Sequence, residues 1–369
     1  MKKHLLSTSA IALGVVALAA PVAAQEWDVS FGGYMSQHVA FKDLSGSALT
    51  AGGDFNGVDL HSTSEIIFTP SITLDNGLTF GVNVQLEGEN GGSEIDESYL
   101  TISSDTLGQI IIGSENSAGY KSMVGAPGVT SMYINSPSIS GFIPFSLAYP
   151  GGFRQAGLST YTEVGGNNDV QRLTYFTPSF NGLTLGVSYA PTGAINVGNS
   201  FGGPNKNLVL SDIFDIGANY SQTFGTTSVT LSARYGTGSA PSAFVGSDPE
   251  TWGLGGQVGF ADFTFGGSYS VNDNGVAGGA GDSEGYSFGM TYDIAGPWAV
   301  EALAYIGEVD TGPSKADYEA YRIGASRDLG PGVDWDIYVV NVNSNNGGLG
   351  LARRTVEGTV IGTGINLSF

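Results

Sequence analysis

The chain has 369 residues, of which 58 are glycine and none cysteine; 41% are hydrophobic and 13% charged. So much glycine works against long helices, and the lack of cysteine removes disulfide frameworks, thiolate metal sites and thiol nucleophiles. The balance of 34 acidic to 13 basic residues, a net −21, disfavours a nucleic-acid partner.

At the start of the chain, Lys2 and Lys3 precede an uncharged apolar run over 5–20 that closes on Val22, Ala23 and Ala24. This pattern predicts a secretory signal peptide over 1–24, cut after Ala24 to leave Gln25 first; the competing reading is a membrane anchor. Residues 25–369 then form a single domain. Taking Lys2 and Lys3 from the 13 basic residues leaves 11 against 34, a net −23. Past Ala24 no window reaches the roughly 18 apolar residues that a spanning helix needs. Any crossing of a membrane falls to strands.

From there the sequence predicts sixteen segments in which apolar residues alternate with small or polar ones, the period of a strand with two chemically different faces. The first eight cover 27–41, 62–74, 78–86, 95–103, 109–115, 170–179, 183–190 and 213–223. The second eight cover 226–235, 252–260, 263–271, 285–294, 298–309, 318–328, 333–342 and 355–369. Connections alternate too. Short turns, such as 75–77, 181–182 and 261–262, carry Asn, Asp and Gly suited to tight hairpins. Long Gly-, Ser-, Asn- and Asp-rich segments, such as 42–61, 191–212, 240–251 and 343–354, lie between them. Short turns at one end and long loops at the other predict an all-β, antiparallel meander barrel in a membrane.

The strand from Trp298 sets Trp298, Val300, Ala302, Ala304 and Ile306 on one face and Glu301 and Tyr305 on the other. Aromatic residues sharing the apolar parity fall in two bands. Trp27, Phe80, Phe260, Phe263, Tyr292, Trp298, Trp335 and Phe369 lie beside the short turns, and Tyr189, Phe214, Tyr235, Trp252, Tyr269, Tyr286 and Tyr321 lie beside the long loops. Rings with a polar edge favour the two headgroup levels.

Several runs carry a family resemblance: Asp75, Asn76, Gly77, Leu78, Thr79, Phe80, Gly81; Asn181, Gly182, Leu183, Thr184, Leu185, Gly186; the stretch 97–113; and the ending from Gly362 to Phe369. With them the whole mature chain resembles the general-diffusion porins of Gram-negative bacteria, especially the sixteen-stranded trimeric ones. The resemblance implies an outer-membrane location reached through the periplasm, a homotrimer, and contact with lipid and lipopolysaccharide. It also implies that Phe369 ends a signal read by the barrel-assembly machinery. The long connection 116–169 after the fifth strand would fold into the barrel and narrow a pore, with 139–145 and Phe153 packed on the wall. The alternative is two further strands near 139–149 and an eighteen-stranded barrel. The family's arginine or lysine cluster on the wall does not carry over, because the strands between Ser62 and Glu115 hold no basic residue.

Parity places Glu65, Glu87, Asp215, Asp293, Glu301, Asp334 and Asp336 on the inner face, against Arg172, Arg234 and Arg322. Lys121 and Arg154 sit in the long connection. Such a lining predicts a water-filled channel for small hydrophilic solutes and ions that prefers cations. No cofactor is expected, although acidic runs at Asp43, Asp54 and Asp59, and at Glu94, Asp96 and Glu97, have oxygen ligands of the kind calcium takes. Three rival readings are a solute-specific porin, a barrel enzyme and a secreted calcium-binding adhesin. His38 and His61 are the histidines left after the leader, and no triad is spelled out by spacing.

Overall fold

A computed structural model describes residues 26–49, 53–88, 95–132, 142–194, 204–348 and 353–369. The predicted leader and its cut after Ala24 lie outside these residues. Seventeen strands follow one another: β1 (Phe31–Ser45), β2 (Gly57–Phe68), β3 (Ser71–Thr73), β4 (Thr79–Glu87), β5 (Ile95–Ser104) and β6 (Gly108–Glu115). After the long connection come β7 (Val170–Phe176), β8 (Leu183–Thr192), β9 (Ser211–Phe224), β10 (Thr227–Ser239), β11 (Glu250–Phe260) and β12 (Phe263–Asp273). The ring is completed by β13 (Ser283–Asp293), β14 (Trp298–Asp310), β15 (Lys315–Gly330), β16 (Val333–Asn345) and β17 (Thr355–Ser368).

Apart from β2 and β3, which both pair with β4, each strand pairs antiparallel with its sequence neighbours, and β17 returns to β1, with Tyr34 opposite Ser368 and Ser45 opposite Glu357. The sheet is therefore a closed barrel of sixteen positions, because β2 and β3 share one place beside β4. Closure satisfies the backbone polar groups that hydrocarbon cannot. Among the described residues no helix is long and apolar enough to cross a membrane.

Two predicted strands are corrected. The segment 62–74 is broken at Thr69 and Pro70, since proline has no N–H for the ladder, and the pairing shifts to begin earlier, at Gly57. The first strand starts at Phe31 rather than Trp27, because Phe31 already lies opposite Phe68, the last residue of β2 before that break. Trp27 stays outside the ladder and 56% exposed. Of the region 139–149, residues 139–141 are outside the described set; Phe145–Leu147 form a single 3-10 turn, so the described part holds no extra strand.

The tight ends fold as their residues require. Asn181 and Gly182 take φ of 47° and 89°, the left-handed pair of a two-residue hairpin between Phe180 and Leu183. The outer face is apolar and its rings meet in pairs: Phe263 with Tyr292 at 4.4 Å, Trp298 with Trp335 at 5.7 Å, and, near the long loops, Tyr189 with Phe214 at 4.8 Å and Trp252 with Tyr269 at 5.4 Å. Phe260, Phe265, Phe288 and Ile323 on this face are more than half exposed, the surface a lipid chain would cover.

Candidate functional site: the lumen and its loop

The described residues of the connection 116–169, namely 116–132 and 142–169, lie inside the barrel along its inner wall. A short helix, α1 (Ala118–Ser122), starts it, capped by the Ser117 hydroxyl on the Tyr120 N–H. Beyond it the backbone is extended and strung on polar side chains of successive strands. The Val124 N–H donates to Ser232 Oγ on β10 at 3.0 Å, and the Ala126 N–H to Ser287 Oγ on β13 at 3.1 Å. Next, the Val129 N–H and Thr130 hydroxyl donate to Glu301 on β14 at 2.6 and 2.7 Å. Finally the Ser131 N–H and hydroxyl donate to Asp336 on β16 at 2.7 and 2.6 Å. The return path packs Phe142, Ile143, Phe145 and Tyr149 into a core with the inward side chains Tyr305, Tyr318, Tyr338 and Val340. It then hangs Ala156 and Thr160 on Asn272 and Ser268 of β12. The expected packing of 139–145 holds for its described residues 142–145, whereas Phe153 is 46% exposed and lies under the Arg154 guanidinium.

Glycines on the wall clear the way. A Cβ on Gly255 of β11 would strike the Val124 carbonyl oxygen, and one on Gly285 of β13 would strike that of Ala156. The chain's backbone lies where those side chains would be.

This lining divides the predicted inner charges into two groups. Asp215, Glu301 and Asp336 face inward but are buried beneath the loop. Asp215 pairs with Arg234, whose guanidinium also donates to the Thr162 carbonyl. Glu301 pairs with Arg322 at 2.7 Å, both side chains fully buried. These carboxylates and arginines hold the segment in place. Arg172 is also buried on the inner face of β7, and its charge acts on Asp215. Asp293 and Asp334 lie on the inner parity at the short-turn ends of β13 and β16.

The second group lies on β2, β4 and β5, where the described residues of the loop cover less of the inner face. Inward residues of β2, β4 and β5, such as His61, Thr63, Asn83, Gln85, Tyr99 and Thr101, remain partly exposed, in contrast to the buried inner face of β7 to β16. Here Glu65 and Glu87 stand opposite one another across β2 and β4. Glu97 on β5 accepts from Gln85 Nε2 at 3.0 Å and Asn116 Nδ2 at 2.6 Å. The Glu65 carboxylate lies within electrostatic reach of Asp96, Glu97 and Glu87. The loop brings two basic groups beside this wall: Lys121 pairs with Glu115 and sits over the Tyr99 ring at 4.9 Å, and Arg154 stacks on Tyr120 at 4.2 Å. Asp169, at the loop's end, is pushed up to about 8 by burial first and then by the charges of Asp96 and Glu97, with Arg154 pulling the other way.

The sequence reading put Glu65 and Glu87 on this wall and missed Glu97, Glu115 and Asp169. Glu97 and Glu115 share the inward parity of Tyr99 and Gly113, which was the available signal; the irregular register between Val84 and Leu86 obscures it for Glu97. Of the acidic runs, Asp59 pairs with Lys42 at 2.5 Å and Glu94 is outside the described residues. Among the described residues no three His, Asp or Glu side chains are grouped to hold a metal ion.

Comparison with known families finds that a model of Gram-negative porins matches residues 8–347. The chain belongs to the Gram-negative porin family. Structures of similar fold include in-vitro folded OmpT of Vibrio cholerae, an outer-membrane protein in its trimer form, at 14% identity and a TM-score of 0.61 over 93% of this porin and 99% of that chain. The anion-selective porin of Comamonas acidovorans is similar at 17% identity and a TM-score of 0.59, over 93% of this porin and all of the other. A mutant of the Rh. blastica porin aligns at 18% identity and 0.55, again over 93% and 100%. No curated protein matches this porin by sequence. Family and fold together make it a transmembrane β-barrel channel of the outer membrane.

Proposed function

We propose that this porin is a general-diffusion channel that prefers cations, works as a homotrimer and catalyses no reaction. After export through the periplasm and insertion by the barrel-assembly machinery, its outer face meets lipid and lipopolysaccharide, and its lumen passes small hydrophilic solutes. The cation preference rests on one observation: the wall of β2, β4 and β5 carries Glu65, Glu87, Asp96 and Glu97 with no lysine or arginine in those strands. A negative lining between low-dielectric walls concentrates cations and repels anions. The trimeric Vibrio cholerae structure supports the assembly. Reversal potentials in a KCl gradient across a planar bilayer test the preference. Potassium is expected to carry most of the current, and a chloride-dominated current overturns the reading.

A further inference from the structure

We infer that the outer face of the barrel at its short-turn end holds a site for the phosphate of a glycerophospholipid, centred on Arg327 of β15. The inference rests on the reading that this face meets lipid, and it adds a headgroup and a place. Of the cations in the described strands, two, Lys315 and Arg327, have the outward parity. Both stand on β15, at opposite ends of the same face. Lys315, at the long-loop end, pairs with Glu284 and Glu308 at 3.4 and 2.6 Å. Among the described residues no carboxylate pairs with Arg327, and its Nε is covered without a hydrogen-bond partner.

Strand register builds the surroundings of this guanidinium. Trp298 of β14 and Trp335 of β16 are its cross-strand partners, one on either side. Its central carbon stands 5.6 Å from the centre of the Trp298 ring. Trp335 is fixed by its own indole N–H, which donates to Thr363 Oγ1 at 2.7 Å. A ring face attracts a cation but offers no lone pair to its N–H groups, so the planar fork keeps open donors at the membrane edge. Two phosphate oxygens match that fork and cancel its charge. The next outward positions along β15 are Ala325, between Val300 and Ile337, and Ile323, which is 71% exposed. An alanine between two branched side chains leaves a shallow furrow about 7 Å from the arginine along the strand. The acyl chain that accompanies a lipid phosphate fits such a furrow, for which a free inorganic anion has no use. In barrels with short periplasmic turns this is the headgroup level of the periplasmic leaflet.

The test is native mass spectrometry of the detergent-released porin titrated with dipalmitoyl phosphatidylglycerol. Wild type is expected to take up one such lipid per chain ahead of any other. Arg327→Gln should raise the half-saturating concentration about tenfold, the loss of one charge-assisted pair, while Lys315→Gln, at the other end of the strand, leaves it unchanged. Equal uptake by wild type and Arg327→Gln overturns the site. Dipalmitoylglycerol keeps the chains and lacks the phosphate, so it should bind the two proteins alike; a tenfold preference for wild type overturns the role of the phosphate. Millimolar inorganic phosphate is expected to leave the lipid in place, and full displacement makes this a free-anion site and overturns the lipid. Loss of assembled oligomers in Arg327→Gln would set the arginine between copies of the chain, which overturns the site as well. A wild type that stays dispersed in plain buffer overturns the membrane-facing reading instead.

Discussion

Glu301 shows how much of the lumen rests on single side chains. It accepts from the Val129 N–H and the Thr130 hydroxyl and neutralises Arg322, all in a fully buried setting. Replacing it with alanine strands a buried guanidinium, a cost of about 3–5 kcal/mol. Glu301→Ala should release residues 128–131 from β14, seen as a larger single-channel conductance and as trimers that dissociate at a lower temperature in detergent. Glu301→Gln, which keeps the acceptor for the loop, should lose less. Asp169 carries a different expectation. Its carboxyl, held up to about 8, binds its proton more tightly in the folded chain than in the unfolded one, so it favours the fold below the ordinary aspartate range and that contribution is lost as pH rises through about 8. Over the same window a new negative charge appears beside Asp96 and Glu97. Cation preference should therefore step upward between pH 7 and 9, and Asp169→Asn should diminish that step when reversal potentials are measured at both values.

At the level of elements, the strands were legible because their two faces meet different media, and the period of two follows directly. The short hairpins were legible through residues such as Asn181 and Gly182. What the strand pattern hides is whether an inward residue faces water or the loop. Asp215 and Glu65 have the same parity and the same chemistry, yet one is locked to Arg234 under α1 and the other stands across from Glu87. That distinction depends on the path of a segment without a period of its own. Its trace was nevertheless present in the wall, as serines at Ser188, Ser232 and Ser287 and as gaps at Gly255 and Gly285. Gly285→Ala should displace the loop at Ala156 toward the pore, lowering conductance for large solutes such as trisaccharides in liposome swelling while leaving the ion-selectivity ratio unchanged.

For the whole molecule the decisive property is the separation of charge within one ring. The anchored side, from β7 round to β16, pairs Asp215 and Glu301 with arginines, whereas the strands β2, β4 and β5 carry carboxylates and no lysine or arginine. Such a field is screened by dissolved salt, with a Debye length of about 10 Å at 0.1 M and about 3 Å at 1 M. The potassium-to-chloride permeability ratio should fall toward one between those concentrations; a ratio that held constant would place selectivity in direct contact rather than in the field.

The seam of the cylinder joins β17 to β1. Phe369 and Gly33 exchange backbone N–H and carbonyl partners, each at 3.1 Å, so the strand formed last in chain order completes the first. A prematurely terminated product would carry two open margins into oil, with donors and acceptors that nothing there can answer. Synthesis through β17 thus becomes a condition for residence in the membrane, a checkpoint written into topology rather than supplied by a separate inspector.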